Sequence, residues 1–384
     1  MDSFVFNTVA SIVSSTGSAL RLADQCAALG VKRPLLVTDP GLVKIGLVEP
    51  VRQALVEAGV DVVMFDQVRE DPPEKVVLQA AQLGRTEQVD GVVAVGGGSS
   101  MDVAKVVAVL LGGDQNLADL YGVDQVTGGR LPLILVPTTA GTGSEVTPVA
   151  VITTGETTKA GVSSATLLPD IAVLDADLTL GLPPAITAMT GVDAMVHAIE
   201  AYTSRHKKNP VSDNLARQAL QLLAGNIRTA VHDGGNREAR ANMLLGALLA
   251  GQAFANAPVA AVHALAYPLG GHYHIPHGLS NSLVLPSVLE FNASHASDLY
   301  AELANIIVPG AVSGSNEAKT AAMIGALRQL IEDVNLPASL REVKVAENDL
   351  EMLARDAMLQ QRLLINNPRD VNFDDALSIY TEAY

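Results

Sequence analysis

The sequence predicts two domains: an α/β domain with a mostly parallel sheet over residues 1–182 and an all-helical domain over residues 183–384. In the first half, short apolar runs alternate with segments of helical periodicity. These runs are apolar throughout, which indicates strands that are covered on both faces. After residue 182 the helical periodicity continues without a convincing strand. Together these patterns are typical of a covered parallel sheet joined to a helical domain.

The strands and helices of the first domain follow one another in regular order. Strands are predicted at 34–39, 60–65, 90–96 and 131–138, and the runs VAVITT and IAVLD add two more. The helices between them are EPVRQALVEAG, PEKVVLQAAQLG and MDVAKVVAVLLG. Pro183 and Pro184 fit a linker followed by a helix start. A chain of 384 residues is also too long for one compact core.

Composition and charge argue against several kinds of partner. The formal net charge is −16, so neither nucleic acid nor an anionic membrane surface is expected to bind. The single cysteine, Cys26, lies on a predicted amphipathic helix, where packing is the expected role. One cysteine permits no internal disulfide, which fits a reducing compartment. Because the start MDSFVFNT lacks a signal-sequence pattern, a cytoplasmic location is expected.

A glycine-rich turn follows the predicted strand at 90–96. In VVAVGGGSSMDVAK, three glycines permit positive φ and a close backbone approach to a ligand. The helix N-terminus that follows adds free N–H donors, so the turn suits a pyrophosphate. Ser99 is placed to cap this helix, with Asp102 at capping-box spacing. Because the motif is neither GxGxxG nor a P-loop, a plain tight turn remains the alternative.

A second polar loop and one carboxylate are expected beside the glycine-rich turn. VPTTAGTGSEVTP (136–148) carries several Ser and Thr hydroxyls and two glycines after another predicted strand. Two such loops after neighbouring strands imply one crevice at the carboxyl ends of the sheet. Asp39 ends the first strand, where a carboxylate can accept from a ribose 2′-OH and would repel a 2′-phosphate. A turn-forming Asp before Pro40 is the alternative.

One helix and a histidine-rich stretch contain candidate metal ligands. In TGVDAMVHAIEAY, Asp193 and His197 are four residues apart and share a helix face, although His197 alone also fits a core position. His263 lies in an apolar predicted helix, where a buried imidazole requires a partner or a metal. His277 lies on a Pro–Gly turn before another predicted helix. One carboxylate with three imidazoles suits Fe²⁺ or Zn²⁺ and leaves room for a substrate oxygen.

Two further histidines of the same stretch are less suited to a shared site. His272 and His274 lie two residues apart in GGHYHIPHG, which is predicted as a Gly-flanked loop. We expect them at a pocket rim or on the surface, facing substrate at most.

The segments GGGSSMDVAK, PTTAGTGSEVTP, GVDAMVHAIEAY and HALAYPLGGHYHIPHG occur in this order along the chain. In this respect the sequence resembles the iron-containing (group III) alcohol dehydrogenases over nearly its whole length. The resemblance implies a dehydroquinate synthase-like architecture, with an NAD-binding α/β domain, a helical metal domain and the active site between them. The motifs imply these metal ligands: Asp193, His197, His263 and His277. They imply these cofactor-binding residues: Asp39, Gly97, Gly98, Ser99, Asp102, Thr138, Thr139, Thr142, Thr147 and Lys159.

Two positions depart from the family pattern. Many members carry histidine where this chain has Tyr267, and asparagine where it has Asp71. A phenol titrates at a pKa of about 10 but can still donate a proton, so Tyr267 is a candidate catalytic residue. Phe254 is a candidate for the substrate pocket. A buried aromatic is the alternative for both rings, and an exposed hairpin lysine is the alternative for Lys159.

The resemblance also implies an activity. It predicts a metal-dependent, NAD(H)-linked oxidoreductase that interconverts an alcohol and an aldehyde or ketone, with Fe²⁺ or Zn²⁺ as Lewis acid. Asp39 favours NAD over NADP, and a homo-oligomer, at least a dimer, is expected. Two alternatives remain: an NAD-using, metal-dependent lyase resembling dehydroquinate synthase, and a non-catalytic nucleotide-binding sensor that would need no intact metal site.

Overall fold

The computed structural model describes residues 3–155, 158–310 and 312–384, and the chain forms two compact units. The α/β unit consists of Asn7–Thr139 and Gly143–Leu180. The helical unit consists of Gly181–Tyr384 together with the short segments 3–6 and Ala140–Thr142. The predicted single boundary at residue 182 assigns these two short segments to the α/β domain, whereas the structure groups them with the helical unit. Contacts between residues far apart in the sequence cannot be recognised from hydrophobic periodicity.

The strands described in the structure fall into two sheets. Their bounds are β1 (Ser11–Ser14), β2 (Pro34–Val37), β3 (Val63–Phe65), β4 (Gly91–Gly96), β5 (Gly122–Val123), β6 (Leu133–Pro137), β7 (Val149–Thr154), β8 (Thr158–Ser163) and β9 (Ile171–Leu174). The larger sheet has the order β1-β9-β6-β4-β2-β3 and is parallel throughout. The predicted parallel sheet is therefore confirmed.

The parallel sheet is covered on both faces. Along β2, Leu35 and Val37 pack into one hydrophobic core and Leu36 packs into the other. All three side chains are fully buried. This explains why the strands are apolar at every position, as a sheet with two cores requires.

The smaller sheet was not predicted. Its order is β5-β8-β7, with β7 antiparallel to β8, so VAVITT does not join the main sheet. Buried and half-buried positions alternate at the start of β7, which is typical of a sheet covered mainly on one face. The edge strand β1 was also missed, because its sequence SIVS is short and half polar.

The helices have the following bounds. In the α/β unit they are α1 (Leu22–Ala28), α2 (Pro40–Lys44), α3 (Glu49–Glu57), α4 (Glu74–Thr86) and α5 (Gly98–Gly112). In the helical unit they are α6 (Pro184–Thr203), α7 (Pro210–His232), α8 (Arg237–Asn256), α9 (Ala261–Tyr273), α10 (His277–Ile307), α11 (Asn316–Asp333), α12 (Leu350–Ala357), α13 (Gln361–Leu364) and α14 (Phe373–Ala383). No strand occurs among the described residues beyond 180, as predicted.

One predicted local feature of the helical unit is wrong. The predicted loop GGHYHIPHG is helical up to Tyr273, because contacts with the C-terminal segment hold the last turn of α9. The hydroxyl of Tyr273 donates to Asp349 and accepts from the backbone N–H of Ala346. Tertiary contacts of this kind override the weak helix propensity of Gly270 and Gly271.

Cys26 lies on α1 with no exposed surface. Burial raises the pKa of its thiol to about 11, so the reactive thiolate is disfavoured at neutral pH. These observations agree with a packing role.

No single helix within the described ranges is both long and apolar enough to cross a bilayer. One pair, Arg237–Asn256 with Ala261–Tyr273, reaches that length and apolarity only when combined, and it is bent by 106°.

Candidate functional site

Helix α6 places three ionisable side chains along one buried stripe. Asp193, His197 and Glu200 follow at intervals of four and three residues, so they lie on one face of the helix. All three are buried. The sequence prediction included the first two and missed Glu200, although its position three residues after His197 was a usable signal.

Helices α9 and α10 bring the other two predicted ligands to this stripe. His263 lies in the first turn of α9, and His277 is the first residue of α10, directly after Pro276. The next residue, Gly278, packs against α6, since a Cβ there would lie 2.4 Å from the carbonyl oxygen of Met189. The predicted Pro–Gly turn is therefore a helix start, and the missing side chain at Gly278 allows the two helices to approach.

The four predicted ligands converge around one carboxylate oxygen. Asp193 Oδ1 lies 3.9 Å from Nε2 of both His197 and His263, and 3.7 Å from Nε2 of His277. Ligand atoms about 2.1 Å from a tetrahedral ion are about 3.4 Å apart. Asp193, His263 and His277 offer ligand atoms that all lie within 4.8 Å of one another, so these three residues could hold a small divalent ion. His197 lies outside this trio and approaches it through Asp193 at 3.9 Å.

Asn281 lies one turn after His277 and points into the same cluster. Its Nδ2 donates to Asp193 Oδ1 at 2.6 Å and lies 3.3 Å from Nε2 of both His263 and His277. The amide nitrogen, one carboxylate oxygen and two imidazole nitrogens therefore face a common centre. That arrangement suits a cation. The sequence prediction missed Asn281.

The ionisation of the ligands also suits a cation. Burial lowers the pKa of His197 to about 3, so this imidazole is neutral at physiological pH and keeps a lone pair. Burial alone would raise the pKa of Asp193, but the neighbouring imidazoles and the Asn281 amide outweigh burial and lower that pKa. The site therefore combines a carboxylate whose pKa is lowered with a neutral imidazole at His197, and both are ligand types that Fe²⁺ and Zn²⁺ accept.

Two aromatic rings flank the cluster, both predicted as site residues. Phe254 stacks on His197 with ring centroids 4.3 Å apart, while Tyr267 lies 5.8 Å from His277. The side chain of His277 is 38% exposed, whereas the side chains of His197 and His263 are 6% and 3% exposed. Tyr267 is therefore beside the accessible ligand and Phe254 beside a buried one.

The remaining two histidines of the stretch are not part of the cluster of ligands. His272 contacts Asp356 of α12, with Nε2 2.6 Å from the carboxylate. His274 adopts a left-handed conformation with φ 53° and forms the C-cap of α9. Their predicted position outside the tight site agrees with these contacts.

In the α/β unit, three predicted cofactor segments meet at one edge of the parallel sheet. The glycine-rich turn follows β4, whose neighbours are β2, followed by Asp39, and β6, followed by Thr138 and Thr139. The backbone N–H of Thr138 donates to the carbonyl of Gly96 at 3.0 Å. Because β3 and β4 lie on opposite sides of β2, the order in which successive strands join the sheet reverses at this point. Open α/β sheets bind ligands at such reversals of strand order.

The glycine-rich turn is used for close packing and not for positive φ. Gly97 has φ −76°, and neither Gly96 nor Gly98 has a positive φ. A Cβ on Gly96 would lie 2.5 Å from Cβ of Ser100, so only glycine allows α5 to begin this close to β4. On this point the predicted reason for the glycines is wrong, although the predicted close approach of the backbone is present.

The predicted cap of α5 is also wrong. The helix begins at Gly98 with Gly97 as N-cap, and Ser99 is already inside its first turn. Asp102 accepts instead from Ser144 Oγ at 2.6 Å and from the backbone N–H of Val151 at 2.9 Å. Long-range partners hold this carboxylate, so it is unavailable for local capping.

A fully buried lysine organises the second polar loop. Lys105 Nζ donates to Ser144 Oγ at 2.7 Å, to Thr147 Oγ1 at 3.2 Å and to the carbonyl of Val149 at 2.8 Å. Asp102 Oδ1 lies 3.7 Å from the same nitrogen. Two predicted cofactor residues, Asp102 and Thr147, therefore belong to an internal network, and their contact with cofactor stays a prediction.

The other predicted cofactor residues have the following surroundings. Asp39 caps α2 by accepting from the backbone N–H of Leu42 at 3.0 Å, which matches the turn-forming alternative. Lys159 on β8 donates to Asp71 at 2.6 Å, so the predicted cofactor lysine pairs with the residue that departs from the family pattern. Thr142 lies in the segment that belongs to the helical unit.

A parallel sheet with polar loops at its carboxyl edge and a helical unit with a largely buried Asp/His₃ set define a nucleotide- and metal-dependent enzyme. The model for iron-containing alcohol dehydrogenase matches residues 10–176. The family model described as "Fe-containing alcohol dehydrogenase family, C-terminal" matches residues 187–384. The chain belongs to the iron-containing alcohol dehydrogenase family and is an oxidoreductase that interconverts an alcohol and a carbonyl compound with NAD(H) and a metal.

Individual relatives cover nearly the whole chain. Long-chain-alcohol dehydrogenase 1 of Geobacillus thermodenitrificans is 40% identical over 371 residues, which are 96% of this chain and 93% of that protein. A crystal structure of 1,3-propanediol oxidoreductase superimposes with a TM-score of 0.96 at 36% identity and covers 100% of both chains. The sulfoacetaldehyde reductase of Bifidobacterium kashiwanohense, solved in complex with NAD⁺, gives a TM-score of 0.89 at 30% identity, covering 100% of this chain and 99% of that one.

Proposed function

We propose that this protein interconverts an alcohol and an aldehyde or ketone with NAD(H), using Fe²⁺ held by Asp193, His197, His263 and His277. The observation that carries the proposal is the convergence of three imidazole nitrogens on one carboxylate oxygen at 3.7–3.9 Å. A bound divalent ion supplies Lewis-acid polarisation of the substrate oxygen. The set also accepts Zn²⁺, so the identity of the metal is part of the test.

The residues around the ligands divide the remaining tasks. Phe254 stacks on His197 and excludes water from the buried side of the cluster. Tyr267, beside the more exposed His277, is the candidate for proton exchange with the substrate oxygen. We assign it that role because a hydroxyl is both donor and acceptor, whereas Phe254 has no proton to give.

The α/β unit supplies the nucleotide site. The pyrophosphate is expected at the backbone of Gly97, Gly98 and Ser99, where α5 presents free N–H groups. Asp39 has one carboxylate oxygen committed to Leu42, and its negative charge still repels a 2′-phosphate. Thr138, Thr139 and Thr147 with Lys159 complete the contacts proposed for this unit. The proposal further includes a homodimer and a cytoplasmic location.

The first experiment measures metal content and turnover together. Purified protein is reconstituted with Fe²⁺ or Zn²⁺ and assayed over alcohols, diols, aldehydes and hydroxy acids with NAD(H). His263→Ala should lose both bound metal by elemental analysis and turnover, whereas the exposed His295→Ala should keep both. Full metal content and normal activity in His263→Ala would contradict the ligand assignment. NADH binding without any turnover by the metal-loaded wild type would favour the sensor, and a lyase would produce no net NADH.

The second experiment tests cofactor choice. Asp39→Gly should increase kcat/KM with NADP relative to NAD, because the repelling carboxylate is removed. Glycine replaces a cap at a cost of only a few tenths of a kcal/mol, so the fold is expected to survive. An unchanged ratio would remove Asp39 from the cofactor site.

A further inference from the structure

Glu200 makes two strong contacts behind the proposed metal ligands. Its Oε2 lies 2.6 Å from Nδ1 of His263, and its Oε1 accepts from the backbone N–H of Val262 at 2.7 Å. The Glu200 side chain is only 4% exposed. Both oxygens of one buried carboxylate are therefore directed at the first turn of α9, where His263 lies.

These two contacts determine which nitrogen of His263 is free. An ionised carboxylate only accepts hydrogen bonds, so Nδ1 of His263 must carry the proton that Glu200 accepts. The lone pair is then on Nε2, the nitrogen that faces Asp193 at 3.9 Å and Asn281. Outer carboxylates of this type fix the tautomer and orientation of metal-bound histidines.

The negative charge of the cluster also indicates that Glu200 belongs to the metal site. Asp193 and Glu200 are two buried carboxylates, and neither forms an ion pair with Lys or Arg in the described part of the chain. Burying uncompensated charge is strongly unfavourable. One bound ion of charge +2 would balance these two negative charges.

We propose that Glu200 is a positioning residue of the metal centre, which holds His263 in the Nδ1–H tautomer and provides the second negative charge that selects a divalent ion. The inference rests on the proposed metal site. It assigns Glu200 no contact with substrate or cofactor.

Two variants separate charge from reach. Glu200→Gln keeps the side-chain length, but its single amide oxygen cannot accept from both the Val262 N–H and His263 Nδ1. Glu200→Asp keeps the negative charge on a side chain that is one methylene shorter. Zn²⁺ affinity is measured by competition with a chromophoric chelator. We expect Glu200→Gln to bind Zn²⁺ about 10- to 100-fold more weakly than wild type, in the range found for outer-shell substitutions, and Glu200→Asp to lie between the two.

A matched control acts on α9, the helix that carries His263. Tyr380 donates to the carbonyl of Leu265 at 2.5 Å, so Tyr380→Phe removes a buried hydrogen bond to α9 without touching His263. This variant should bind Zn²⁺ like wild type. In the metal-free state, Glu200→Gln should melt at the same temperature as wild type or higher, because an uncompensated charge has been removed.

The outcomes are distinguishable. Zn²⁺ affinity of Glu200→Gln within twofold of wild type, or a lower Tm with unchanged affinity, would show a merely structural role and overturn the inference. A wild-type protein that binds no divalent ion would instead overturn the proposed metal site.

A measurement on wild-type protein needs no variant to fold. With ¹⁵N-labelled histidine, long-range ¹H–¹⁵N spectra should show His263 as the Nδ1–H tautomer both before and after Zn²⁺ addition. An Nε2–H tautomer in the metal-free protein would overturn the inference.

Discussion

Each unit of the molecule contains a cluster with two largely buried carboxylates, and the two clusters differ in what balances the charge. In the α/β unit, Asp102 and Glu145 lie around Lys105, a cation supplied by the chain itself. In the helical unit, Asp193 and Glu200 lie around three imidazoles, without a lysine or arginine pair in the described residues. The first cluster contains its own cation, whereas the second has the composition of a site that binds a cation from solution.

The largest effect is expected on removing the internal cation. Lys105→Met leaves Asp102 and Glu145 buried without their counter-charge, and breaking a buried ion pair in this way costs about 3–5 kcal/mol. Urea denaturation measures the change. The double variant Lys105→Met/Glu145→Gln should recover part of the loss, and Zn²⁺ affinity should stay as in wild type. A loss below about 1 kcal/mol would mean that the cluster does not need its lysine.

The helical cluster is best perturbed through its geometry. Gly278→Ala introduces a Cβ 2.4 Å from a backbone oxygen of α6, and overpacking of this kind costs about 1–3 kcal/mol. Because the start of α10 must move, His277 should shift and Zn²⁺ affinity should fall. Gly271→Ala, with nothing within 4 Å of the added carbon, is the matched control. Equal Zn²⁺ affinity in the two variants would contradict the close-approach argument.

The pH dependence of stability distinguishes the clusters further. Burial raises the pKa of Glu145 from 4.5 to about 7. Between these values the folded chain binds more protons than the unfolded chain, so this residue makes stability fall as pH rises through that window. Glu145→Gln should flatten the fall, giving a higher Tm than wild type at pH 8 and little difference at pH 4.5. Parallel Tm profiles for the two proteins would refute this assignment.

The smallest effect is expected at the half-exposed pair on the α/β unit. Lys159 and Asp71 form an ion pair at 2.6 Å, and exposed pairs contribute less than about 1 kcal/mol. Asp71→Asn should therefore leave the free energy of unfolding nearly unchanged. If Lys159 contacts the cofactor, releasing it from Asp71 in the Asp71→Asn variant should lower the KM for NADH. Lys159→Ala should raise that KM. An unaltered KM in both variants would exclude Lys159 from the nucleotide site.

The sequence predicted features that depend on local pattern. Uniformly apolar strands indicated the parallel sheet, and spacing along α6 placed Asp193 and His197 on one face. The same spacing extended to Glu200, which was overlooked because its partner, His263, lies 63 residues away.

Long-range partners account for the other misses. Ser99 and Asp102 fit a capping box by spacing, but Asp102 bonds to Ser144 and Val151, 42 and 49 residues distant. The extension of α9 to Tyr273 depends on Asp349 and Ala346 in the same way. Spacing predicts which residues share a helix face, whereas their partners depend on the tertiary fold.

The unequal exposure of the ligands has a kinetic consequence. Of the four proposed ligands, three are almost completely buried while His277 is 38% exposed, so an ion held by them would enter and leave on the side of His277. Dissociation would then begin with one imidazole at the start of a helix, while the proposed ligands on α6 and α9 keep their places. Which ion occupies the site in a cell depends on its rate of exchange past this residue as well as on equilibrium affinity.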